Sequence, residues 1–126
     1  MKAIKIDVDN KTVYEVEVNG LSDIQRQVGG LITSPVVEAD YFKKDCLYVD
    51  DEGLLKPVKG YFLIEGAYQP FAGNGIIVGL NEEGESIDCF VKLDRIKSAV
   101  RFVDPEDIYN EIRGIEKEVK YEEGTY

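Results

Sequence analysis

The residues best suited to chemistry in this sequence are its few cations and the aromatics near them. The arginines stand at 26, 95, 101 and 113, and Lys56 and Lys59 open a stretch that also holds Tyr61, Phe62, Tyr68 and Phe71. Guanidinium forks pair with phosphate oxygens, and flat rings stack on bases. Arg26, Lys56, Lys59, Tyr61, Phe71, Arg101 and Arg113 are therefore the side chains a nucleotide-type pocket would use. Gly73-Asn74-Gly75 adds a backbone feature: successive glycines allow main-chain N–H groups to form an anion-binding nest, and Asn74 can read an amide edge. Asn74 and Gly75 join the candidates for that reason. The plainer alternatives are surface ion pairs with neighbouring carboxylates and a tight turn that needs positive φ. Neither phosphate-loop fingerprint is present, and the glycines precede an apolar run where those fingerprints place them after a strand.

Composition removes several other chemistries. The 126 residues contain no histidine, so Ser-His and Cys-His nucleophile pairs and imidazole bases are excluded. A net charge of −10 argues against direct nucleic-acid binding, which rests on neutralising phosphates. Eleven of the 25 acids fall in the first 63 residues. So even a spread is what a solvated surface gives. Cys46 and Cys89 are too far apart for a metal knuckle and read as small buried hydrophobes. Asp7-Val8-Asp9-Asn10 opens like a calcium loop but fails at Lys11 and Thr12, and a hairpin turn is the better reading. Asp50-Asp51-Glu52 and Asn81 to Glu85 read as solvated turns. The serines lie in no nucleophile context, and nothing argues for an enzyme, a cofactor or a metal. No stretch reaches the length of a membrane span and no signal-peptide core opens the chain, so a cytoplasmic protein is expected.

The elements that must position these residues follow from hydrophobic period and turn chemistry. Ile4, Ile6 and Val8, then Tyr14, Val16 and Val18, alternate with polar residues across an Asp9-Asn10-Lys11 turn, giving an N-terminal hairpin. Ser22 and Gln25 form a capping box for a short helix that ends at Gly29-Gly30, with Leu21, Ile24 and Val28 inward. Residues 31–39 read as a strand that Pro35 forces to an edge or a bulge. Residues 46–49 form another strand, and residues 54–74 have no regular pattern. Gly75 to Leu80 is apolar on both faces, as a central strand is. Residues 86–93 complete a second hairpin. Residues 93–102 are ambiguous between helix and strand, with a short helix from Asp94 preferred, Ile96 and Val100 inward. Asp104-Pro105 starts a last helix whose Ile108, Ile112, Ile115 and Val119 form a narrow seam. That seam suits docking on the chain's own sheet or, preferably, pairing in a homo-oligomer. The result is one α+β domain over 1–126, a family-like core over 1–102 and a C-terminal amphipathic helix over 104–121. Its sheet is antiparallel or mixed, built from hairpins, with helices on one face.

Four segments in order carry a resemblance: Lys2-Ala3-Ile4-Lys5-Ile6-Asp7-Val8; Leu21 to Ile32 with its Ile24-Gln25 and Val28-Gly29-Gly30; Leu47-Tyr48-Val49-Asp50-Asp51-Glu52-Gly53-Leu54-Leu55-Lys56; and Gly73-Asn74-Gly75-Ile76-Ile77-Val78-Gly79. Together they resemble a small domain-of-unknown-function family carried by phages, prophages and conjugative elements, mainly of Gram-positive bacteria. The resemblance covers about residues 1 to 102. It implies a setting, an accessory protein of a mobile element, and no site residues. Two functions are expected from these residues and that setting. The first is sequestration of a small phosphate-containing ligand, such as a nucleotide immune signal. The second is an acidic inhibitor or DNA mimic that binds a host defence protein.

Overall fold

A computed structural model describes residues 1–113. The N-terminal hairpin forms as expected, β1 (Lys2–Asp7) against β2 (Thr12–Glu17), with Ile4 opposite Glu15 and Ile6 opposite Val13. Its turn is organised by Asp7. That carboxylate accepts the main-chain N–H groups of Asp9 and Asn10, the Asn10 side-chain amide at 2.9 Å and the Tyr14 hydroxyl. Burial alone would raise the pKa of Asp7, but the bonds from Asn10 and Asp9 and the Lys5 charge outweigh it and hold the carboxyl below its ordinary 3.8. A depressed carboxyl stabilises the fold above its unfolded pKa, and that stability disappears as pH falls through the folded value. Asp7→Asn is therefore expected to cost on the order of 1–3 kcal/mol at neutral pH. The gap to the wild type should close in acid below pH 4, which urea titrations at pH 7 and pH 3 would measure.

Further along come α1 (Gly20–Val28), β3 (Ile32–Thr33), β4 (Asp45–Asp50), β5 (Tyr61–Ile64), β6 (Phe71–Ala72), β7 (Gly75–Leu80), β8 (Ser86–Ile87), α2 (Leu93–Ala99) and β9 (Val100–Val103). A C-terminal helix begins at Ile108 and runs to 113, the last described residue. The main sheet has the order β2-β1-β7-β4-β3, with β8 added to β7, and a second sheet has the order β6-β5-β9. Every pairing is antiparallel. The α+β class expected from the hairpins is the class observed. β7 is central, as its two-sided apolar pattern requires.

Successive side chains on the main sheet feed two cores. Ala3, Cys46, Ile76 and Val78 meet Ile24 and Val28 of α1. Ile4, Ile6, Leu47, Val49 and Ile77 meet Phe62, Ile64 and Phe71 of the second sheet and Ile96 of α2. The two helices thus lie on opposite faces, where the sequence put both on one. The cause is the second sheet, whose aromatic strands claim a face for themselves and draw α2 to that side.

Other boundaries also differ. α1 starts at Gly20, two residues before the expected box. Asn19 occupies the cap, and its N–H is bonded by the Asp23 carboxylate at 2.8 Å. Leu21 falls in the first turn on the outer side and is 60% exposed. The helix ends as predicted, because Gly29 adopts φ 105° and the Gly29 and Gly30 N–H groups both bond the Gln25 carbonyl. The expected strand over 31–39 shrinks to β3, the irregular 54–74 contains β5 and β6, and the second hairpin keeps only Ser86–Ile87 on its return side. Residues 93–102 are helix and then strand. Ile96 is fully buried and Val100 packs on the same core, as expected. In the C-terminal seam Ile108 is half-buried and Ile112 is 38% exposed. Ile115 and Val119 lie outside the described residues. No described helix is long and apolar enough to cross a membrane.

Candidate functional site

The aromatic and glycine candidates sit mostly within the fold. Phe71 is buried, its ring 5.5 Å from that of Phe62. Gly75 is also buried, and a Cβ there would stand 2.9 Å from Phe62 Cζ and 3.1 Å from Leu47 Cδ1. Positive φ occurs at Gly73, at 81°, so the turn reading of this triplet describes its backbone. The Asn74 carboxamide oxygen accepts the Val8 N–H at 2.9 Å and fastens the end of β1 to β7. Tyr61 is half-buried on β5, opposite Ala72 and Val103.

Three of the five candidate cations, Arg26, Lys56 and Arg101, have acidic partners. Arg101 forms a fork with Glu111 at 2.6 and 2.7 Å. That fork raises the Arg101 pKa and holds the Glu111 carboxyl below its ordinary range. Arg113 lies over the Tyr109 ring at 5.6 Å. Arg95 bonds Glu65 at 2.7 Å and stacks 4.2 Å from the Tyr41 ring centre. The Tyr41 hydroxyl donates to the Glu65 carbonyl at 2.5 Å, and burial, with the Glu65 charge, pushes its pKa up to about 12. Lys59 is exposed and makes no ion pair among the described residues.

Two candidate pairs share a region of the surface. Tyr61 and Arg101 share the outer face of the second sheet, because Phe62 and Ile64 take the inner one. Arg26, in the last turn of α1, and Lys56, against Gly29 and Gly30 just past it, lie at the same end of that helix. Arg26 is paired with Asp23, and Lys56 bonds Asp50 at 2.9 Å and the Gly29 carbonyl at 3.4 Å. Beside them an open hollow of about 540 Å³ is lined by Arg26, Gly29, Gly30 and Leu31.

A second feature was not among the sequence candidates. A groove of about 550 Å³ runs between residues 34–40 and the edge of β4, lined by Glu38, Asp40, Phe42, Asp45, Leu47 and Leu80 among others. Its origin is the strand register. The Lys44 carbonyl accepts the Leu80 N–H and the Leu31 carbonyl accepts the Asp51 N–H. Even-numbered residues of β4 therefore bond β7, and odd ones face β3. β3 pairs Thr33 with Val49, so the next outward residue, Leu47, would face Pro35. Proline has no N–H to give, and the ladder stops there. Val37 then packs partly against the core while lining the groove, and the Glu38 N–H is taken by the Gly66 carbonyl at 2.8 Å. The chain leaves the sheet as a strap, and β3 supplies no partner to Asp45 or Leu47. The strap is held at its root by Ser34 Oγ, 2.9 Å from Cys46 Sγ. Asp45 closes the far end by accepting the Phe90 and Val91 N–H groups, and burial raises its pKa despite those bonds. Pro35 was the one signal in the sequence for this feature.

Among the described residues the carboxylates close enough to share a cation are Asp104, Glu106 and Asp107. They stand at the start of the C-terminal helix, and Asp104 is bonded to Lys11 at 2.7 Å.

Fold and surface together define a small two-sheet α+β protein with an open strand edge inside an acidic groove. Residues 1–100 match a family described as a domain of unknown function, DUF3846, and the chain belongs to that family. The match ends at the first residue of β9, so the strand that completes the second sheet and the helix after it lie past the matched span. No curated protein and no solved structure matches the chain.

Proposed function

We propose that this protein is a binding module that captures a basic segment of another protein. The observation that supports this best is the groove beside β4. Its charged lining is Glu38, Asp40 and Asp45 against Lys43 alone, and Lys43 is tied to Asp40 at 3.2 Å. A cationic partner gains from that balance, and from the −10 of the whole chain during approach. The setting, an accessory protein of a phage or another mobile element, comes from the resemblance. It makes a host defence protein the fitting target.

The test is calorimetry with a twenty-residue polylysine over a range of salt. Binding should weaken steeply with salt and fall at least fivefold in Glu38→Lys/Asp40→Lys. Reversing the exposed pair Glu82 and Glu83, which makes the same change in charge, should matter far less. Capture should survive Arg101→Ala and Arg113→Ala. Equal loss in both double variants would reduce the groove to bulk charge and overturn the proposal.

Phosphate-ligand sequestration is the second reading, and the placing of Arg26 and Lys56 at the same end of α1, beside Gly29-Gly30, favours it. Both cations are partnered by carboxylates that an anion would have to displace, so this reading ranks below the first. Native mass spectrometry against cyclic dinucleotides and ADP-ribose derivatives tests it. A complex lost in Arg26→Ala and Lys56→Ala would promote it above the groove. The Ile108, Ile112, Ile115 and Val119 seam remains the proposed contact for a homo-oligomer.

A further inference from the structure

We infer that the groove holds its partner as an added strand: an extended, basic segment laid along the edge of β4, recognised mainly through its backbone. This rests on the capture reading above and specifies its mode. An unpaired strand edge offers alternating donors and acceptors at fixed spacing, which only another extended backbone matches. Pairing with β3 ends before Pro35, and the ladder position facing Asp45 would belong to Val37, which lines the groove and packs partly against the core without pairing. An incoming strand takes the ladder position beside Asp45 that β3 does not fill. Leu47, fully buried, forms the floor beneath it with Phe42. The opposite wall is the strap, extended at Ala39 (φ −155°, ψ 147°).

Alternation of side chains along a strand then sets the class of segment. Every second side chain points to the apolar floor, and the ones between point to the rim, where Glu38 and Asp40 stand. A run alternating valine-like and lysine-like residues satisfies both. A second copy of this chain does not, because its own β4 would bring Asp45 and Asp50 against the same acids. At about 550 Å³ the groove is small, so the recognised segment is short.

The experiment uses the full chain and two blocked hexapeptides of alternating Lys and Val, one of them N-methylated at every second residue on the edge meant to face β4. Amide hydrogen exchange is followed at Asp45. The unmodified peptide should slow exchange of the Asp45 N–H at least tenfold at saturation, and N-methylation should weaken binding at least tenfold. Equal affinity for the two peptides, or unchanged exchange at Asp45, would overturn strand addition. If polylysine still bound through Glu38 and Asp40 in that case, the capture reading would stand without it. If no basic probe bound, both would fall. A glutamate–valine hexapeptide should not bind, and comparable affinity for it would also overturn the assignment.

Discussion

Replacing Phe62 with alanine is expected to destabilise the fold by about 3–5 kcal/mol, the range for emptying a buried aromatic site. Phe62 is fully buried and stands first by size among the fully buried side chains. It projects from β5 onto the main sheet and makes an aromatic contact with Phe71 from β6. On one side the ring lies against the β7 backbone at Gly75, which has no side chain to move into the space. Small domains have only about 5–15 kcal/mol of stability in total, so the midpoint of urea unfolding should fall steeply. A companion variant separates packing from general damage. Gly75 is Cβ-free where the Phe62 ring approaches, so Gly75→Ala in the wild type forces a contact at 2.9 Å. In the Phe62→Ala background that clash is gone, and Gly75→Ala should cost at least 1 kcal/mol less. Strict additivity would mean that Phe62 and Gly75 do not share a packing unit.

That coupling also marks the limit of what the sequence could disclose. Strands with strong period were legible: β1, β2, β4 and β7 follow their apolar alternation or their two-sided apolar runs. The glycine stop of α1 was legible too, because only positive φ satisfies the end of that helix. The second sheet was not, although Tyr61, Phe62 and Phe71 are strand formers. β6 is two residues long, and β5 gains its partner β9 from nearly 40 residues away, so no local period reports either. Calling these aromatics ligand candidates and calling them core residues rest on the same composition, and only the register of β5 against β9 separates Phe62 from Tyr61. The cations tell a similar story. Their scarcity was visible, but whether each had an acidic partner depended on contacts such as Arg95 with Glu65, 30 residues apart. Pro35 suggested an edge or a bulge within a strand reaching residue 39, whereas pairing stops before it, at Thr33. What it opened could not be seen, because that depended on which residue of β4 it would have faced.

Pro35→Val is expected to close this edge and weaken binding of the Lys–Val hexapeptide at least tenfold. With valine at 35, a main-chain N–H becomes available opposite Leu47, continuing the register that pairs Thr33 with Val49. The Leu47 carbonyl needs it. Leu47 is 0% exposed, and Cys46 Sγ reaches that oxygen only at 3.9 Å, too long for a strong bond. A buried carbonyl without a donor costs on the order of 1–3 kcal/mol, and its relief favours the variant. Loss of proline's restraint on the unfolded chain opposes it by about 0.4–1 kcal/mol, so net stability should change little or rise. The binding loss would then be free of any folding defect. Exchange measurements supply the decisive sign. The new amide at position 35 should be protected as strongly as that of Thr33, and Asp45 should no longer respond to the peptide. An unprotected amide at 35 with peptide binding intact would show that something other than proline ends β3. Proline at 35 thus withholds the N–H that the register would give to Leu47, and among the described residues Asp45 to Tyr48 have no β3 partner.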